Sequence, residues 1–362
     1  MKLPHITILA TLLLTAPAAA QLQITPPATT PSPSAEKAKE KEKPKVAPHT
    51  ITKKKEATPA PKPSASPKPT PAPAATVIPA PSTDDPNVDL VFGAYQRGQY
   101  KTAFDLAAAR AKTGDVKAMT MLGELYSNAM GIRRDYAKAL EWYKRASDAG
   151  DREAMFALAM LRMSGRGGPV DKGEAVKLMA SAAKLGEPKA AYNLALLYLD
   201  GQTLPQDVKR SAELLRQAAD AGLPEAQYAL ATFYKEGTGV PKDAERSVRL
   251  LQAASLADNV DAEVEYAIAM FNGTGTPKNQ PAAVALLRKA SRQGSAIAQN
   301  RLAWVLINGM GASVDKVEGF KWHLVAKTAG KGDPELDKQL SDLPAEDRAK
   351  AEAAAKKWLG TK

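Results

Sequence analysis

The chain has 362 residues and no cysteine, so it can form no disulfide, offer no thiolate nucleophile and build no thiolate metal site. Histidine is almost as scarce. His5, His49 and His323 stand far apart, and no two share a metal-ligand spacing. Aromatic residues make up only 6%, and they recur at helical spacing rather than in a cluster. These shortages argue against an enzyme, and the expected catalytic, cofactor-binding and metal-ligating sets are all empty. Long apolar runs are also missing. The longest, residues 6–14, is about half the ~20 residues a membrane-spanning helix needs.

That short run has a different meaning. It follows Lys2 and ends before Ala18, Ala19 and Ala20, a positive start, an apolar middle and small residues in the order of a secretory signal. Residues 1–20 are therefore expected to be a signal peptide, with cleavage before Gln21. The destination would be the periplasm of a Gram-negative bacterium. An uncleaved membrane anchor is the alternative. No Cys follows the run, which excludes a lipoprotein. A cysteine-free exported chain must stand on a sizeable apolar core.

The core does not begin at once. Of the 66 residues from 21 to 86, sixteen are Pro and almost none is a large aliphatic or aromatic. Such a composition cannot offset the entropy of ordering the backbone. It predicts a disordered, partly polyproline II spacer with a reach on the order of 200 Å at most. Its ten lysines, with Lys53, Lys54 and Lys55 adjacent, could meet peptidoglycan or another anionic envelope polymer. Beyond it, 39 Lys and Arg face 33 acids. In sequence order these show no basic stripe, so nucleic acid is not an expected partner.

The remainder repeats itself. Ala118, Ala154, Ala190, Ala226, Ala262 and Ala298 stand 36 residues apart, and fixed offsets from each carry the same kinds of residue. Four on are Leu122, Leu158, Leu194, Leu230, Tyr266 and Leu302, giving one apolar stripe on a first helix. Eleven and thirteen on are glycines, such as Gly165 and Gly167, expected to end that helix. Seventeen on, Asp135, Asp171, Asp207, Asp243, Asn279 and Asp315 are placed to cap a second helix. Twenty-eight on, a second set of alanines (Ala146, Ala182, Ala218, Ala254, Ala290 and Ala326) marks helix crossings. Thirty-two on, mostly glycines close the unit. A single hairpin of this kind cannot bury its own apolar face, so neighbours must stack. The reading is an all-α fold, an α-solenoid. Residues 118–333 form six repeats, residues 87–117 a degenerate N-terminal repeat, and residues 334–362 C-terminal capping helices.

This pattern resembles the Sel1-like repeat, a relative of the tetratricopeptide repeat. The fullest copy is Leu122 and Gly123, Tyr126, Gly131, Asp135, Trp142 and Tyr143, and Gly150. The period of 36 sets it apart from the 34 of tetratricopeptide repeats. Departures include Ala129 and Thr203 in place of loop glycines and Asp258 in place of a capping one. The resemblance implies a right-handed solenoid acting as a monomeric scaffold or adaptor. It would capture a protein or peptide partner, and its periplasmic relatives suggest regulation of a membrane sensor or envelope complex. The alternative is a wall-associated factor whose spacer touches peptidoglycan and whose repeats recruit a wall enzyme.

If the stack curves as its relatives do, first-helix offsets 2, 6, 9 and 10 line a concave groove. In the second repeat these are Phe156, Met160 and Met163, and in the third Tyr192, Leu196, Leu199 and Asp200. Tyr228, Thr232, Lys235 and Glu236 follow, then Val264, Ile268, Phe271 and Asn272, and lastly Asn300, Trp304, Ile307 and Asn308. A solvent-facing wall should be polar, so these apolar groups either pack against neighbouring helices or receive a ligand. His323 shares its register with Tyr143, Met179 and Leu215 and is read as a structural side chain.

Overall fold

A computed structural model describes residues 89–360 as an all-helical stack with no strand among the described residues. The expected signal peptide and the whole proline-rich spacer, residues 21–86, lie outside them. The stack opens with α1 (Leu90–Gln96) and α2 (Tyr100–Lys112). Six hairpins follow, their helices all 13 residues long: α3 (Val116–Asn128) and α4 (Tyr136–Asp148), α5 (Arg152–Ser164) and α6 (Lys172–Lys184), α7 (Pro188–Asp200) and α8 (Val208–Asp220). The second three are α9 (Pro224–Glu236) and α10 (Ala244–Leu256), α11 (Val260–Asn272) and α12 (Gln280–Arg292), α13 (Ala296–Asn308) and α14 (Lys316–Thr328). The chain ends in α15 (Pro334–Ser341) and α16 (Ala345–Gly360).

The repeat signals act as local chemistry. Each second-helix cap accepts a backbone N–H with its side chain, as Asp135 does from Lys138 at 3.0 Å and Asp207 from Arg210 at 2.9 Å. A cap of this kind contributes about 1 kcal/mol. Four of the six first helices are capped in the same way, three residues before the marker alanine. Asp115, Asp151, Asn259 and Ser295 each hold the amide of that alanine. The marker alanines are buried at both crossing points, from Ala154 through Ala298 and from Ala146 through Ala326, so the helices approach without a side chain between them.

The two loop glycines have different tasks. The first of each pair, Gly165 among them, ends its helix in the left-handed conformation at φ 66°. The second does not end the helix. Gly167 lies against the backbone carbonyl of Tyr136 at the start of the previous repeat's second helix, with no room for a Cβ. Gly239, Gly275 and Gly311 press in the same way on Val208, Ala244 and Gln280. The loops therefore stack repeat upon repeat. Of the three departures from the motif, Ala129 and Asp258 take the left-handed conformation themselves, each at φ 58°. Lys289 from the next repeat holds the Asp258 carboxylate at 2.9 Å.

At the C-terminal end the pattern breaks. The helix that would open a seventh repeat, α15, is only eight residues long. Beyond it α16 turns back to pack along α14, setting Trp358 edge-on to Trp322 with ring centroids 5.0 Å apart. Lys321 lies over both rings, at 4.3 and 5.3 Å. Leu336 and Leu340 of α15, with Ala351 and Ala355 of α16, complete the largest apolar cluster of the molecule.

Candidate functional site

The candidate wall is not uniform along the stack. On α5 and α7, Phe156, Met160, Met163, Tyr192, Leu196, Leu199 and Asp200 are all half-buried. Phe156, Met160, Met163, Tyr192 and Leu199 rest against one apolar cluster that runs from α5 to α9. Their inner sides are thus supported while part of each stays in solvent. On α9, Tyr228 is half-buried, Lys235 and Glu236 are exposed, and Thr232 is buried. Burial raises the Tyr228 phenol above its ordinary range, and Glu265, Asp261 and Glu236 add to the rise. Tyr192 is raised by burial and then by Glu225.

From α11 onward the same offsets turn inward. Val264 and Phe271 are buried, Ile268 and Asn272 half-buried. On α13, Asn300, Trp304 and Ile307 are all buried and only Asn308 is exposed. On α13 the physical reason is the segment after α14. Trp304 donates its indole N–H to Asp333 at 2.9 Å, and Asn300 donates to the Lys331 carbonyl at 3.2 Å. For Thr232, Val264, Phe271, Asn300, Trp304 and Ile307 the open groove does not hold, because their side chains pack within the solenoid.

A recess of about 330 Å³ lies between the fourth and fifth repeats. Lys235, Glu265, Ile268 and Asn272 line it together with Ser247, Val248 and Leu251. Lys235 and Glu265 form an ion pair of 2.7 Å at this recess, and Ser247 donates to the Ala231 carbonyl at 2.7 Å. The structure thus brings Lys235, Ile268 and Asn272 together but leaves Phe156 and Met160 to a different stretch of the wall.

Several buried polar groups escaped the sequence reading. Glu263 is fully buried and paired with Lys289. Arg301 is 4% exposed, and burial pushes its guanidinium down to about 10 against the pull of Glu265 and Asp333. Both stand among alanines and aliphatics on a first helix; the partner of Glu263 lies on the second helix of its own repeat, and Arg301 feels Glu265 from the repeat before. His323 is fully buried, as its register implied, and its Nε2 meets Asp337 at 2.8 Å. Among the described residues no group of three His, Cys, Asp or Glu side chains is placed to hold a metal. No helix among them is long and apolar enough to cross a membrane.

Stacked 36-residue hairpins define an α-solenoid. The Sel1 repeat model matches residues 116–151, 152–187, 188–223, 224–259, 260–295 and 296–331, and the chain belongs to that family. Sel1 repeat proteins are generally scaffolds for protein–protein interaction, and they are typically not catalytic. Among solved structures the chain is similar to the Escherichia coli protein c5321, a protective antigen of uropathogenic strains displaying this repeat fold. The identity is 27% and the TM-score 0.63, over 71% of this chain and 55% of the antigen. It is similar also to a Sel1 repeat protein from Oxalobacter formigenes, at 25% identity and a TM-score of 0.60, covering 66% of this chain and 98% of that one. The chain thus spans little more than half of the first of these relatives. No curated protein sequence matches it.

Proposed function

We propose that the protein is an exported, non-enzymatic adaptor of the periplasm that captures a segment of a partner protein along the first-helix faces of its second to fourth repeats. A membrane sensor or another envelope complex is the kind of target that suits such a role. The observation that carries this reading is the run of half-buried apolar side chains from Phe156 to Tyr228. Phe156, Met160, Met163, Tyr192, Leu199 and Tyr228 are supported from behind by the core, so a partner that covers them gains apolar burial while ordering little of the wall. An amphipathic helix or extended segment would meet this surface with alternate apolar residues.

The test is site-specific photo-crosslinking in intact cells, with the reactive group at Tyr192 or Leu196 and, for comparison, at Leu256. Leu256 is 82% exposed at the end of a second helix. One discrete protein adduct from the two wall positions and none from Leu256 is the expected result. Equal labelling from all three, or sedimentation of the protein with cell-wall sacculi without any protein adduct, overturns the reading.

A further inference from the structure

The cations that look evenly spread in sequence come together on the loop edge of the first two repeats. Arg133, Arg134 and Lys138 belong to the first loop and the helix after it, and Arg162 and Arg166 to the end of α5 and the second loop. The stacking glycine Gly167, pressed on the Tyr136 carbonyl, brings the second loop down onto the first. Arg134 and Arg166, 32 residues apart in sequence, thereby share one tyrosine. Their guanidinium carbons lie 5.7 and 5.6 Å from the centre of the Tyr136 ring. Lys138 stands 5.4 Å from the ring of Tyr126. Of the acids at this edge, Asp171 caps a helix, and Asp135 caps another while also pairing with Lys138 at 3.7 Å, so the charge offered to a ligand is chiefly that of the arginines.

We propose that this edge is a docking surface for anionic phospholipid headgroups. Two guanidiniums drawn to one ring concentrate positive charge at the loop edge, and phosphate oxygens answer it through charge-assisted hydrogen bonds. Cation–π attraction to Tyr136 keeps both guanidiniums near one ring and lowers the entropy lost on binding. Arg133, Arg134 and Arg166 are all exposed, so the array presents itself to a surface rather than enclosing a small anion. Val170 and Pro169 project beside Arg166, Val170 at 58% exposure, and supply apolar groups that an interface accepts. The site lies on the loop edge, apart from the first-helix wall, so its fate does not depend on the adaptor reading.

Co-sedimentation of the full chain with vesicles tests the proposal. Binding is expected to phosphatidylcholine vesicles containing phosphatidylglycerol, falling with salt, and not to phosphatidylcholine alone. Replacing both Arg134→Gln and Arg166→Gln should weaken it by about 30-fold. Tyr136→Leu, which removes no charge, should weaken it by about 3-fold, with a circular dichroism melt confirming that the stack is intact. The pair Lys177→Gln and Lys184→Gln removes as many charges from exposed positions of α6 and should leave binding close to wild type. Three results overturn the proposal. They are equal loss from the two double variants, displacement by inorganic phosphate at matched ionic strength, and a preference for polyglutamate over the anionic vesicles.

Discussion

The second and sixth repeats are built from one motif yet treat the same positions in opposite ways. In the second, Phe156, Met160 and Met163 stay half-buried; in the sixth, Asn300, Trp304 and Ile307 are buried. The residues that make the hairpin are alike in both, from the buried marker alanines Ala154 and Ala298 to the aspartate caps Asp171 and Asp315. The difference arises one element further on. The second repeat is followed by another full hairpin, whereas the sixth is followed by the turn at Lys331 to Asp333, a shortened α15 and the back-folded α16. Repetition fixes the hairpin, and at the sixth repeat the segment that follows it closes the first-helix face.

The sharpest way to break this comparison is to remove residues 334–362. Trp322, now 3% exposed, would lose Trp358 and much of the cluster around Phe320. Because stability in such a stack passes between neighbours, fraying should start at the sixth repeat. Aggregation or loss of helical signal below the melting range of the full chain is expected, measured by circular dichroism and sizing chromatography. An unchanged melt of a monomeric truncated chain would show that these helices cap nothing.

A smaller effect sharpens the contrast between the two faces. Trp304→Ala removes a buried indole together with its hydrogen bond to Asp333 and should lower stability by about 3–5 kcal/mol. Tyr192→Ala removes a half-buried ring and should cost about 1–2 kcal/mol. Chemical denaturation of both variants checks the order. Near-equal losses would mean that the wall of α7 is as fully packed as that of α13.

How much of this was legible beforehand follows from which interactions are local. Caps, C-terminal glycines and crossing alanines act within a few residues, so the 36-residue period carried the helices and their pairing. The second loop glycine was misread as a helix terminator because its constraint, the Tyr136 carbonyl, lies in the preceding repeat. The neighbours of Trp304 were illegible for the same reason, since nothing in the residues after Gly330 announces that Lys331 and Asp333 reach back to α13. Arg134 and Arg166 looked unrelated because only stacking brings them over one ring.

The smallest expected effect concerns acid and the C-terminal closure. Hydrogen bonds from Lys327 and then His323, with their positive fields, hold the Asp337 carboxyl below the usual carboxylate range, against a lesser contribution from burial. Both contacts are 2.8 Å and join α15 to α14. A carboxyl depressed in the native state binds its proton more readily when unfolded, so its stabilisation is present above the unfolded value of about 3.9. As pH falls through the lower native value, that stabilisation is lost. Asp337 is 37% exposed on its side chain, so solvent screens the pairs and the effect is modest. Asp337→Asn should therefore melt slightly below the wild type at neutral pH, with the gap closing as the pH falls through the depressed native value. Thermal melts of both proteins across that range check the sign. A gap that stays constant into strong acid would mean that the carboxylate charge contributes nothing to holding α15 in place, and that its packing through Leu336 and Leu340 is sufficient.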